Sequence, residues 1–274
     1  MEITVDGLGT RVLQVLSQDQ YASVSGVTSR GLFVTARSGL VLFLSGEAYR
    51  GPLTLNLDTT EGIFEGIKPG DPINIQDRNL FFSACDLWIS TAEAEEWKPN
   101  DPSSVILSPS ERQHRLNQVH NQVSTQSGLL NVSKQKVFCQ PIHSYDEIKI
   151  VEALEPFLGD GFGLTPAGDD LIAGLLLTLN RWGSLLLPGL WLQYINQSIV
   201  QAAWKKTTAL SASLIECAAQ AQADERLILA LDSLVTGKPE QARCVACLRG
   251  YGSSSGIDAF KGMEMVLTTE KLIE

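Results

Sequence analysis

Residues 161–170, GFGLTPAGDD, place three glycines (Gly161, Gly163, Gly168), a proline and the adjacent acids Asp169 and Asp170 just ahead of the apolar run LIAGLLLTL. Thr165 is a good helix N-cap, and Pro166 suits the first helical position, where its missing N–H costs nothing. A helix is therefore expected to start there. Gly168 then falls in the first turn, where glycine is a poor helix former, so something must approach the backbone too closely for a Cβ. A glycine-rich loop feeding a helix N-terminus is expected to offer free N–H groups to an anion. Carboxylates in a first turn are ordinary partners of the helix dipole. The chemical alternatives for Asp169 and Asp170 are to hold a divalent ion, Mg²⁺ among them, or to accept a hydrogen bond from a substrate amide.

A second segment repeats the pattern. SSSGIDAFKGMEMVL (253–267) lies without gaps on TPAGDDLIAGLLLTL (165–179), matching Gly256 to Gly168, Asp258 to Asp170 and Gly262 to Gly174. In each copy the Asp and the later Gly stand four apart and share a helix face. Two related corners facing each other about a local twofold axis would put Asp170 and Asp258 in one cleft, with Ser254, Ser255 and Gly256 beside the second. KKTTALS is the expected third contributor: Lys205 and Lys206 offer positive charge, and Thr207, Thr208 and Ser211 offer hydroxyls, those of Thr208 and Ser211 from one helix face. The plainer account is a pair of solvated lysines and helix-packing hydroxyls. No Ser-His-Asp or Cys-His arrangement is evident, which disfavours covalent catalysis.

The elements that must position these residues fall into two halves. From Val24 to about Ser90 the apolar period is near two, in stretches such as GLFVTAR, GLVLFLS and DPINIQ bounded by Gly, Pro, Asp or Asn. This predicts an antiparallel barrel or sandwich whose role is structural or docking. The polar WKPNDPSS (97–104) interrupts the strands, and the domains are drawn as 1–108 and 109–274. Beyond it the period becomes helical: Ser110 is the expected cap of one helix, Ser144 with Glu147 forms a capping box for another, and residues 196–221 read as one long helix with a break near Lys206. The fold class is α+β, with a strand-rich domain followed by a mostly helical one.

Other features are read as structural. The stretch 171–195 contains Asn180, Arg181, Gly183, Pro188 and Gly189, so a buried helix, a turn and a second helix fit it better than a membrane span. His114 and His120 stand six apart and do not share a face as metal ligands would; His143 is taken as a loop residue. Cys244 and Cys247 form a lone C-x-x-C, read as small apolar residues of a buried helix. Five cysteines and an N-terminus without a signal pattern point to free thiols and a cytoplasmic protein. A net charge of −10 opposes nucleic-acid and anionic-membrane partners.

Together, G-x-G-x-G-L-T-P-x-G-D-D (159–170) and S-S-G-x-D-x-x-x-G (254–262) resemble a family long catalogued as a domain of unknown function. It includes a subunit of the oxamate carbamoyltransferase of anaerobic allantoin degradation, a branch of purine catabolism. The resemblance covers mainly residues 110–274. Ala167 stands where that pattern has a serine, and no histidine occurs near Tyr251. The resemblance implies carbamoyl transfer between oxalurate and phosphate, other protein subunits as partners, and a small anionic substrate such as phosphate or a ureido acid. On it, residues 165–168 bind phosphate or a carboxylate, Lys206, Thr208 and Ser211 assist, and Asp170 and Asp258 orient the carbamoyl amide or a metal. The competing readings are a non-catalytic ligand-binding or regulatory subunit of a multi-protein metabolic complex, and a purely structural subunit.

Overall fold

In a computed structural model, which describes residues 1–58, 62–123, 145–187 and 189–269, the chain divides into two compact units, Met1–Pro99 and Asn100–Glu274. The first is a closed barrel. Strands β1 (Glu2–Gly9), β2 (Tyr21–Thr28), β3 (Gly31–Ala36), β4 (Val41–Ser45), β5 (Thr54–Leu57), β6 (Pro72–Gln76), β7 (Asn79–Phe82) and β8 (Leu87–Ser90) run in the order β5-β4-β3-β2-β6-β7-β8-β1, and β1 closes the ring by pairing with β5. Closure removes the free sheet edges. Alternate residues such as Leu32, Val34, Leu42, Leu44, Ile73, Leu80 and Ile89 are buried, which is the period-two pattern realised.

The barrel alternative therefore holds, with two additions. β1 and helix α1 (Thr10–Gln18) precede the strands visible in the pattern, and β1 pairs in parallel with β8 and with the short β9 (Glu95–Trp97). β4 and β5 are also parallel, so the pairing is mostly but not wholly antiparallel.

The second unit contains α2 (Pro109–Val123), α3 (Glu147–Leu154) with a 3₁₀ turn (Glu155–Phe157), α4 (Ala167–Leu186), α5 (Leu192–Lys206), α6 (Ala209–Ala218), α7 (Glu225–Thr236), α8 (Gln241–Gly250) and α9 (Ser255–Thr269). Buried on almost every side, α4 forms the centre of the core. Its one basic side chain, Arg181, is satisfied by two bonds to Asp232, 2.7 and 2.8 Å, and one to the Asn100 carbonyl, 2.9 Å. Pairing is what makes a buried guanidinium tolerable.

Several caps differ from expectation. Ser108, not Ser110, caps α2: its hydroxyl accepts from the Glu111 N–H while Glu111 accepts from the Ser108 N–H. Asp146 caps α3, accepting from the Lys149 N–H at 3.1 Å; Ser144 and His143 lie outside the described residues. The helix read over 196–221 is broken near Lys206, as expected there, into α5 and α6, because the Thr208 hydroxyl caps a new start by accepting from the Ser211 N–H. Cys244 and Cys247 are buried on α8 as small apolar residues. His114 is exposed, and His120 meets Glu264 at 2.9 Å. Among the described residues, no helix is long and apolar enough to cross a membrane.

Candidate functional site

The two glycine-aspartate corners meet through α4 and α9. A Cβ on Gly174 would collide with the Ala259 carbonyl oxygen, and one on Gly262 with that of Leu171. The gapless alignment that pairs Gly168 with Gly256 also pairs Leu171 with Ala259 and Gly174 with Gly262. Each glycine thus receives the same position of the other helix, the reciprocal contact that a local twofold axis produces. The glycines serve close helix packing, as their spacing suggested.

The same correspondence extends into the loops. A Cβ on Gly168 would strike the Phe157 carbonyl, and one on Gly256 the Leu248 carbonyl; the Gly168 N–H donates to the Asp160 carbonyl at 2.8 Å, and the Gly256 N–H to that of Tyr251 at 2.9 Å. What approaches Gly168 is therefore the chain's own backbone. Its amide is already engaged, and Gly161 packs over the Ala167 nitrogen, so the expected free N–H groups at the start of α4 are covered. α4 begins at Ala167 with Pro166 in the capping position and no side-chain cap. The Thr165 hydroxyl instead lies 3.1 Å from that of Ser255, joining the two corners directly. At the second corner, the amides of Ser254 and Ser255 donate to no backbone carbonyl among the described residues.

Asp169 is a buried tie. It accepts from the Gly159 N–H at 2.8 Å and from the Thr207 hydroxyl, fastening the loop and the α5–α6 corner to α4. Burial pushes its carboxyl up, against the opposing hydrogen bonds of Thr207 and Gly159. With both its oxygens engaged, Asp169 is poorly placed as a metal ligand, and no three His, Cys, Asp or Glu side chains among the described residues converge to hold a metal ion.

Asp170 differs. It is 4% exposed, and its Oδ2 has no hydrogen-bond partner. Its carboxyl is pushed up to about 8, mainly by burial and further by the charges of Asp258 and Asp169, while the hydroxyls of Ser255 and Thr165 act the other way. At neutral pH it is mostly a neutral acid and therefore a hydrogen-bond donor. Asp258 is fully buried nearby, and the Tyr251 hydroxyl is raised by burial and by the Asp224 and Asp170 charges.

The KKTTALS corner also reaches this place. Thr208 donates to the Leu164 carbonyl at 2.8 Å, and the buried Ser211 Oγ has no hydrogen-bond partner. Lys206 pairs with Glu155 at 2.6 Å, and its carbonyl abuts Gly159. Three segments distant in sequence thus assemble around Asp169 and Asp170. Gly163, by contrast, projects into open space. Sequence reasoning missed Glu155 as the Lys206 partner and Tyr251 as a neighbour of Asp170; neither stands in a local pattern that would mark it.

No solved structure matches the chain. The family model described as oxamate carbamoyltransferase subunit AllH matches residues 157–267, a span that contains both motifs. This match supports the family to which the two glycine-aspartate motifs point, that of the oxamate carbamoyltransferase subunit.

Proposed function

We propose that this chain acts as a subunit in carbamoyl transfer between oxalurate and phosphate, and that the corner around Asp170, Asp258, Thr165 and Ser255 binds the small anionic substrate. The observation that carries the reading is the buried Asp170 Oδ2 without a hydrogen-bond partner. Such an atom costs stability unless something fills its hydrogen-bonding capacity. A raised carboxyl among hydroxyls suits a ligand with both carbonyl and amide groups, as a ureido acid has.

Because the amide of Gly168 is engaged, the anionic end is assigned to the start of α9, where the Ser254 and Ser255 amides and the Ser255 and Thr165 hydroxyls gather. In the transfer, a phosphate oxygen bonds to the carbamoyl carbon, the C–N bond to oxamate breaks, and the oxamate nitrogen takes up a proton. Neutral Asp170 can supply that proton, and Asp258 can accept from the carbamoyl NH₂. Fixing two reactants beside such groups requires no covalent intermediate. Lys206, Thr208 and Ser211 support the corner from α5 and α6.

The test is a thermal-shift titration of the full chain with phosphate, oxamate and carbamoyl phosphate, each with and without Mg²⁺. A ligand at a hundred times its dissociation constant stabilises by roughly 2.7 kcal/mol. At least one of these ligands should raise Tm in the wild type and fail to do so in Asp170→Asn. Equal shifts in both proteins would sink the assignment. Binding without turnover, even with partner subunits added, would favour a regulatory subunit instead.

A further inference from the structure

The two corners match except in one respect. From Asp160 to Gly168 the first loop is three residues longer than its counterpart from Tyr251 to Gly256, although each closes with the same backbone bond to its glycine. The extra length forms an arch, residues 160–164, that the packing of α4 on α9 does not require. Phe162 at its tip is 87% exposed and Leu164 61% exposed. Phe162 is the most exposed large hydrophobic side chain of the described residues, which is unfavourable for a group with no purpose in water.

Both feet of the arch are pinned. Gly159 donates to Asp169, and the Leu164 carbonyl accepts from Thr208, with Thr165 held to Ser255 beside it. Between the feet the chain turns on glycines: Gly161 and Gly163 have φ of +129° and +94°, in the region that favours glycine, and Gly159 at the first foot has +75°. The arch stands beside the corner that holds Asp170, and Gly161 lies over the first residue of α4.

We propose that residues 160–164 form a hinged cover for the ligand corner, and that Phe162 is the residue that seals it. The inference rests on the ligand-binding reading above and extends it to how water is kept out. Water competes with the acceptor for the carbamoyl group of carbamoyl phosphate, so a subunit handling it gains from closing the site before transfer. On closure Phe162 leaves solvent and packs against the bound ligand's surroundings, while the pinned feet stay in place. Phe162 is thus a positioning residue and takes no part in proton transfer.

The experiment is hydrogen exchange on the full chain, with the second corner as the internal control, combined with the fluorescence emission of the Phe162→Trp variant. Without ligand, the Asp160–Gly168 loop should exchange on the order of tenfold faster than the Tyr251–Gly256 loop. Whichever of oxamate, carbamoyl phosphate or phosphate raises Tm should slow the first loop selectively and shift the emission of the introduced indole to the blue. Matched exchange in the two loops without ligand overturns the cover. So does a ligand that raises Tm while leaving both loop exchange and emission unchanged, and in that case the binding corner stands. If none of the three probes raises Tm, the binding reading itself fails and the cover fails with it. Phe162→Ala, which removes the seal and leaves the feet intact, should increase hydrolysis of carbamoyl phosphate relative to transfer.

Discussion

Asp169 and Asp170 are adjacent in sequence, both buried, and opposite in role. Asp169 spends its two oxygens on Gly159 and Thr207, whereas Asp170 keeps an oxygen unpartnered and a carboxyl raised to about 8. A folded value above the ordinary 3.8 means that the native state holds its proton where the unfolded chain has released it. This component of stability is therefore intact below about pH 4, declines as pH rises toward 8, and is constant above it, with a slope of up to ~1.4 kcal/mol per pH unit. Urea denaturation between pH 5 and 8 should show a shallower slope in Asp170→Asn than in the wild type, because Asp169 and Glu264 are raised by burial as well; the variant is expected to be the more stable protein at pH 7. Asp169→Ala should instead destabilise at every pH, by about 1–3 kcal/mol, because it strands the Gly159 N–H and the Thr207 hydroxyl. That the pair stands in the first turn of a helix was legible in the sequence. Which acid was structural was not, because the deciding partners, Gly159, Thr207 and Ser255, lie 10, 38 and 85 residues away along the chain.

The glycines of α4 and α9 explain how two helices bring those carboxyls together. Ala substitution at Gly174 or Gly262 forces a Cβ onto a carbonyl oxygen of the partner helix and should cost about 1–3 kcal/mol or more, seen as a fall in Tm. Gly183 on the same α4 is the contrast: its Cβ would meet only the Leu192 Cδ1 at 3.7 Å, an ordinary contact. Gly183→Ala should be neutral or stabilising by up to ~1 kcal/mol through helix propensity. The repeat of Gly and Asp at matching positions was visible as pattern, and so was the break between α5 and α6. The caps were less so. Ser108 and Ser110, or Thr165 and Pro166, are too close in sequence for propensity to choose between them, and the choice is made by tertiary bonds such as Thr165 to Ser255.

For the molecule as a whole, composition and period separated a strand-rich half from a helical one, and the barrel closes because β1 pairs with both β5 and β8. That closure could not be read from a pattern of short strands, since a sandwich and a barrel share the same alternation. Each unit has its own buried core, so residues 100–274 expressed alone should unfold cooperatively and keep any ligand-dependent rise in Tm shown by the full chain. Loss of that response on separation would place part of the site outside the helical unit. The most direct test of the account is calorimetric titration of the full chain with oxamate and with carbamoyl phosphate, in the wild type and in Asp170→Asn. Saturable binding of at least one compound, weakened at least about tenfold in the variant, is the predicted result. Equal affinity in the two proteins, or no binding of either compound to the wild type, would contradict it.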